Sequence, residues 1–310
     1  MKTIRVAVLM GGPSGERQVS LASGRGVVKA LEASKKFDVL PIEVSKDGTW
    51  QKKLSGCVDV AFIAMHGKGG EDGTMQGALE LLNIPYTGSG VLASALGMDK
   101  VRSLALFRDA GLNVPEYKVV RSIKKLTPKL TEKLQFHPIV TKPNYHGSSL
   151  GVSICRTAQE LKKGIALAQK YDKDVIVQQF IDGVELTCAV LGNEKPKALP
   201  VVEIIANKGS FYDYASKYEQ EGSDHIIPAR IRKAVEKQVK AWAVKAHQVI
   251  GCRGFSRTDF IWDQKAKKLY VLEINTIPGL TPTSLFPDAA KAAGINFGSL
   301  MDRLIQLALK

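Results

Sequence analysis

The amino-acid sequence predicts an α/β protein with an open parallel sheet at its N-terminus and α+β units behind it. Three observations carry this reading. IRVAVLM (4–10) is an unbroken apolar run that feeds a glycine turn and then a helix-period stretch, the pattern of a strand covered on both faces. Two more apolar runs, near 38–45 and at 58–65, follow it. Beyond residue 115 strand patterns recur between short helices, and two alternating runs close the series at 254–262 and 269–276.

The helix after the first strand carries Val19, Ala22, Ser23, Gly26, Ala30 and Leu31 on one face, small enough to pack closely on a sheet. The glycines before it, at 11, 12 and 15, do not form the GxGxxG dinucleotide fingerprint. The strand at 58–65 runs into His66, Lys68, Glu71 and Asp72 among four glycines, where open α/β sheets bind ligands. Helices are predicted at 74–82, 91–99 and 101–111, with a break at Asn113-Val114-Pro115. Next come a strand at 117–122, a short helix near 127–134 and a strand at 137–143 bearing Lys142. A Gly-Ser turn, NYHGSSLG (144–151), follows, whose backbone N–H groups suit phosphates. A helix at 157–171 and strands at 175–181, 184–192 and 198–205 lead to a long, aromatic-rich stretch, 206–224, read as a lid. A helix at 231–250, the alternating hairpin, a helix near 284–293 and an amphipathic terminal helix complete the chain.

The hairpin carries the chemistry. With Asp259 opposite Glu273, Trp262 falls opposite Tyr270. Arg257 and Asp259 then share a face with Glu273 and Asn275, and Phe260, Leu272 and Ile274 take the other, buried face. Opposed carboxylates repel, and a divalent cation between them removes the repulsion. An all-oxygen donor set, Asp259, Glu273 and Asn275, favours Mg²⁺ held together with substrate phosphates.

Composition sets limits. The chain has 310 residues, 45% hydrophobic and 24% charged, ordinary values for a globular protein of two or three domains. No apolar run has the length of a membrane span, and the N-terminus reads as a strand, not a signal peptide. Cys57, Cys155, Cys188 and Cys252 are scattered in apolar surroundings, as reduced thiols of a cytoplasmic protein are. The formal charge of +14 comes without a basic tail or nucleic-acid motif, so it is read as a solvated surface that attracts an anionic small substrate.

HGKGGEDGTMQG, YTGSGVLASALGMDK, TKPNYHGSSLGV, FYDYASKY and EINTIPGLTPTSLFP, in this order, resemble the D-alanine–D-alanine ligases of the ATP-grasp superfamily. The likeness runs from GGPSGERQVS to the last helix. It implies an ATP-grasp fold in which two α+β domains sandwich ATP: an N-terminal α/β domain (1–97), a central subdomain (98–183) and a C-terminal subdomain (184–310) with the 206–224 lid. It implies two Mg²⁺ ions, replaceable by Mn²⁺, on Asp259, Glu273 and Asn275, and ATP phosphates on Lys100, Lys142 and Lys217 under Ser148 and Ser149. Gln178, Gln179, Phe180 and Ile181 would surround the adenine, with Glu185 at the ribose. Glu16 would bind the first D-alanine in a set with Ser148 and Tyr218, near His66. Arg257 and the Gly279 N–H would stabilise an oxyanion, and Ser284 and Leu285 would hold the second carboxylate. A homodimer is implied too.

Three residues depart from the family pattern. Gln178 stands for the usual Glu beside adenine, and Thr141 and Thr258 stand for aliphatic residues. The resemblance leaves open a ligase that takes D-lactate as second substrate, and a catalytically silent regulator on the same fold.

Overall fold

The computed structural model describes residues 3–45, 48–54, 58–121, 138–206, 223–281 and 283–310. The first region runs β1 (Ile4–Gly11), α1 (Arg17–Ser34), β2 (Phe37–Val44), α2 (Trp50–Leu54), β3 (Val60–Ile63), α3 (Thr74–Leu81), α4 (Val91–Met98) and α5 (Lys100–Asp109). The second runs β4 (Tyr117–Val120), β5 (Ile139–Pro143), β6 (Ser153–Cys155), α6 (Ala158–Ala168) and β7 (Val175–Gln179). The third runs β8 (Val184–Leu191), β9 (Lys197–Ala198), β10 (Val202–Ala206), β11 (Ser223–Ile226), α7 (Lys233–Ile250), β12 (Phe255–Asp263), β13 (Lys268–Asn275), α8 (Leu285–Ala292) and α9 (Phe297–Ala308).

Among the described residues the strands form three sheets. The first is parallel, in the order β2-β1-β3. Its central strand is apolar throughout because both faces are covered: Val6, Ala7, Val8 and Leu9 are fully buried. The second sheet is antiparallel, β4-β7-β5-β6, with Leu161 and Ile165 of α6 packed against it. The third has the path β11-β10-β8-β12-β13, with β9 paired to β8.

The buried face of α1 is rotated from the predicted one. Ser20, Ser23, Gly24, Val27 and Leu31 point inward, and Ala22 is exposed. The inward serines have backbone and side-chain partners that hydropathy cannot register. Ser20 accepts from the Gly11 N–H and donates to the Ala64 carbonyl, each at 2.8 Å. Gly24 permits the close approach, since a Cβ there would lie 2.5 Å from that of Met10.

Helix α5 packs against the third sheet. Leu104 and Phe107 join Val239 and Ala243 of α7, and Phe260 and Val271, in one apolar cluster. Burying each large apolar side chain contributes about 1.5–3 kcal/mol. The segment after β13 turns the other way: Ile277, Leu280 and Phe286 join the core of the first sheet. This seam joins the first and third regions.

The predicted helix near 127–134 and most of the 206–224 stretch, with Lys217 and Tyr218, lie outside the described residues, as does Cys57. The ends of the 206–224 stretch are strand, Ala206 paired with Ser223, because they extend the antiparallel pairing of Ile204 and Ile205 with His225 and Asp224. Cys155, Cys188 and Cys252 are buried free thiols. No helix among the described residues is long and apolar enough to cross a membrane.

Candidate active site

The hairpin β12–β13 supplies the floor of the site. Asp259 lies opposite Glu273 and Arg257 opposite Asn275, as the alternation predicts. The register then slips: Phe260 pairs with Val271, and Tyr270 lies opposite Ile261, not Trp262. Leu272 is the extra residue of this bulge. It faces a cavity with Glu273, whereas Phe260, Val271 and Ile274 keep the buried side. The predicted place of Leu272 on the core face is therefore corrected. A bulge puts two successive residues on one side of a strand, which strict alternation cannot anticipate.

That cavity, of about 210 Å³, lies between the second and third sheets. Val140, Val152, Phe180, Ile181, Ile261 and Leu272 make one part of its wall apolar. Lys100, Lys142, Asp259 and Glu273 make another part charged, and Ser149, Gln178, Gln179 and Glu185 also line it. Lys142 and Lys100 are buried, 9% and 7% exposed. An apolar slot with buried ammonium groups suits a ligand with a flat organic end and an anionic end.

Each charge at the floor is matched. Asp259 accepts two bonds from Arg257, Nε at 2.9 Å and Nη2 at 2.8 Å, plus Thr187 Oγ1 at 2.6 Å and Asn275 Nδ2 at 3.3 Å. Glu273 lies 3.4 Å from Lys100 Nζ, which donates to the His146 carbonyl at 2.8 Å. Opposition of the carboxylates alone therefore does not require a cation, because Arg257 and Lys100 offset the repulsion. Donor chemistry still fits a hard divalent cation. The three side chains are all-oxygen donors, set on facing strands at the edge of a lysine-lined cavity.

Lys100 is held by its helix start. Asp99 caps α5 through the Arg102 N–H at 3.1 Å and accepts from Asn144 Nδ2 at 3.0 Å and the Tyr145 hydroxyl at 2.7 Å. Burial opposes the Asp99 charge, but these bonds hold its carboxyl below the usual range. The Gly-Ser turn is thereby fastened to the helix that carries Lys100.

A second cavity, of about 490 Å³, opens between the first region and that turn. Glu16, the 67–69 glycine loop, Asp72, Met98 and Leu150 line it. Glu16 is 8% exposed and accepts a hydrogen bond from Ser148 Oγ. A Cβ at Gly67 would collide with the Glu16 carboxylate, and one at Gly147 would approach it to 3.2 Å. His146 and Gly147 line both cavities.

His66 lines neither cavity. It is buried beneath the glycine loop, between Ser23 Oγ at 2.9 Å and Glu71 Oε1 at 3.2 Å. Burial, with Glu16 adding to it, pushes the Glu71 carboxyl above its ordinary range despite the His66 bond. Gly279 and Ser284 touch: a Cβ at Gly279 would lie 2.7 Å from Ser284 Oγ. Ser284 Oγ bonds the Thr281 N–H at 3.1 Å and hydroxyl at 2.7 Å, and the Leu285 side chain is buried in the first core. These three residues line neither cavity.

Three contributors escaped the sequence reading: Thr187, Asp99 and His146. Thr187 was visible only as one hydroxyl in an apolar strand. His146 lies inside the Gly-Ser turn, but a single His has no spacing to read. Its Nδ1 is enclosed without a partner among the described residues, burial lowers its pKa, and its ring meets Tyr171 edge-on at 5.6 Å.

Residues 106–306 match the family described as D-ala D-ala ligase C-terminus, and residues 5–57 and 51–89 match D-ala D-ala ligase N-terminus. The D-alanine–D-alanine ligase of Desulforudis audaxviator is 48% identical over 98% of each chain. The Bacillus anthracis D-alanine–D-alanine ligase solved in complex with ATP is 32% identical. Its TM-score is 0.86, over 100% of this chain and 98% of that one. The VanG D-Ala:D-Ser ligase from Enterococcus faecalis is 33% identical, with TM-score 0.84 over 99% and 100%.

Proposed function

The chain belongs to the D-alanine–D-alanine ligase family, and on that premise we propose that the two cavities form one active site joining two D-alanines at the expense of ATP. The observation that carries this is the shared wall. His146 and Gly147 line both cavities, and Ser148 beside them is bonded to Glu16. A nucleotide in the first cavity and an amino acid in the second would meet at that turn.

A free carboxylate resists attack by an amine because oxide is a poor leaving group. A carboxylate oxygen of the first D-alanine attacks the γ-phosphorus of ATP, ADP leaves, and an acyl phosphate forms. The amine of the second D-alanine then attacks the carbonyl carbon, and phosphate leaves. Lys100 and Lys142, with Lys217 from the resemblance, counter the phosphate charge. Gln178, Gln179, Phe180 and Ile181 enclose the base, Glu185 meets the ribose, and Ser149 covers the phosphates. Glu16, within a set with Ser148 and Tyr218, takes the first ammonium. The Arg257–Asp259 pair uses two of the five guanidinium N–H groups. Arg257 and the Gly279 N–H serve the oxyanion, and Ser284 and Leu285 serve the second carboxylate. Asp259, Glu273 and Asn275 would hold Mg²⁺, which supplies positive charge along the phosphates.

The fold is an ATP-grasp one; the step from the second sheet to the third falls near the proposed boundary at 183, and the proposed boundary near 97 lies in the interval between the first sheet, ending at Ile63, and the second, beginning at Tyr117. The dipeptide serves peptidoglycan precursor synthesis. Cytoplasmic location, the homodimer and the place of His66 near the first subsite belong to the same proposal and rest on the resemblance. The test measures phosphate release with ATP, Mg²⁺ and D-alanine, against L-alanine alone and against D-alanine mixed with D-lactate or D-serine. D-Alanine alone should support turnover; its failure to do so would refute the reading.

A further inference from the structure

Gln178 is a buried polar side chain of the first cavity whose amide nitrogen makes no hydrogen bond among the described residues. It is 2% exposed, and its Nε2 is enclosed and unpartnered. The backbone around it is fully used: β7 pairs with β4 on one side and β5 on the other, with Gln178 opposite Tyr117 and Val140. Its backbone is therefore held in place, while its amide nitrogen has no partner among the described residues. Phe180, Ile181 and Val140 line the same cavity. Leaving such an amide unsatisfied in an apolar wall is costly, so the residue is set up for a ligand atom.

A carboxamide differs from a carboxylate in one respect. Its oxygen accepts and its nitrogen donates, and a half-turn about the last side-chain bond exchanges them. An ionised carboxylate only accepts. Among the described residues no hydrogen bond to its nitrogen fixes which way round the amide lies. Resting on the nucleotide reading given above, we propose that Gln178 makes this site tolerant at position 6 of the purine. It accepts from a 6-amino group in one orientation and donates to a 6-oxo group in the other. The chain would then bind 6-oxopurine nucleoside triphosphates as well as ATP.

The test is equilibrium binding by calorimetry, with Mg²⁺ and without D-alanine. Three nucleotides are compared: ATP, inosine triphosphate, and purine riboside triphosphate, which has no group at position 6. Inosine triphosphate also carries a hydrogen on N1, and comparing variants cancels that difference. In the unsubstituted protein the Kd values for ATP and inosine triphosphate should agree within about tenfold, since each finds one partner on Gln178. Gln178→Glu should keep ATP and raise the Kd ratio of inosine triphosphate to ATP by about 30-fold or more, because two acceptors then face each other. Gln178→Met, which keeps length and removes both polar atoms, should weaken both nucleotides to the level of the purine riboside triphosphate. It guards against a Glu variant that fails to fold. An inosine triphosphate to ATP Kd ratio unchanged within about twofold in Gln178→Glu, or Kd values for both nucleotides unchanged within about twofold in Gln178→Met, would overturn the inference and leave the ATP site standing. Failure of the unsubstituted protein to bind ATP would overturn the site reading and this inference with it.

Discussion

Asp259 shows how a residue can be singled out for an incomplete reason. The opposed carboxylates of Asp259 and Glu273 suggested a missing cation. In the fold Arg257 grips Asp259 through two nitrogens, Thr187 donates to it, and Lys100 approaches Glu273. The donor set remains suited to a cation, but its charges are already offset. Thr258, next along the strand, points the other way into the third-sheet core. It is fully buried, and its hydroxyl is enclosed without a partner among the described residues. Valine has the same shape and no hydroxyl. Thr258→Val should therefore stabilise the protein by about 1–2 kcal/mol, read as an increased midpoint in urea with an unchanged slope. A lowered midpoint would mean that the hydroxyl has a partner.

At the scale of elements, the Gly-Ser turn and α7 each make a checkable claim. Ser148 and Ser149 hold φ of 53° and 56° in succession, a left-handed conformation that costs a non-glycine residue about 1–2 kcal/mol. The turn keeps it because Ser148 thereby reaches Glu16. Ser148→Ala should lose about 1.5–3 kcal/mol with the bond to a charged group. Ser148→Gly should be milder than alanine by about 1 kcal/mol, since glycine relieves the backbone. Equal losses in the two variants by chemical denaturation would contradict the strain argument. On α7, burial drives the His247 pKa from 6.5 down to about 4, although bonds with the backbone of Gly192 and Cys252 act against it. Its Nδ1 meets Ser256 Oγ at 2.8 Å. The folded state thus favours the neutral ring, and between pH 6.5 and 4 the unfolded chain binds the proton more readily. The contribution is complete above pH 6.5 and is lost as pH falls through that window, by roughly 3 kcal/mol at most. His247→Gln should flatten the stability profile over this range, and an unchanged slope would remove His247 as its source.

For the whole molecule, the site is a product of junctions. One cavity lies between the second and third sheets, the other between the first region and the Gly-Ser turn, and that turn closes both. The formal charge of +14 surrounds a ligand proposed to be strongly anionic. Long-range attraction should raise the rate of capture and leave the chemical step unaffected. Raising ionic strength from about 0.02 M to 0.5 M shrinks the Debye length several-fold. It should lower kcat/KM for ATP several-fold with kcat nearly constant. A fall confined to kcat would place the salt effect in the reaction itself.

Local pattern was enough for most elements and for the polar face of the hairpin. Strands buried on both faces are continuous apolar runs, and a half-buried hairpin alternates, so Arg257, Asp259, Glu273 and Asn275 could be put on one face from spacing alone. Glu16, Lys142 and the Gly-Ser turn could be marked because each stands where a strand meets a turn. What spacing cannot carry is a slip in register, a contact across 132 residues, or a hydroxyl serving a distant backbone group. The bulge at Leu272, the Ser148–Glu16 bond and the inward serines of α1 are of those kinds. They depend on which surfaces the packed sheets bring together, and only the tertiary structure decides that. The unpartnered amide of Gln178 belongs with them. The sequence shows a glutamine in an apolar strand, and the fold shows that no described residue partners its amide nitrogen.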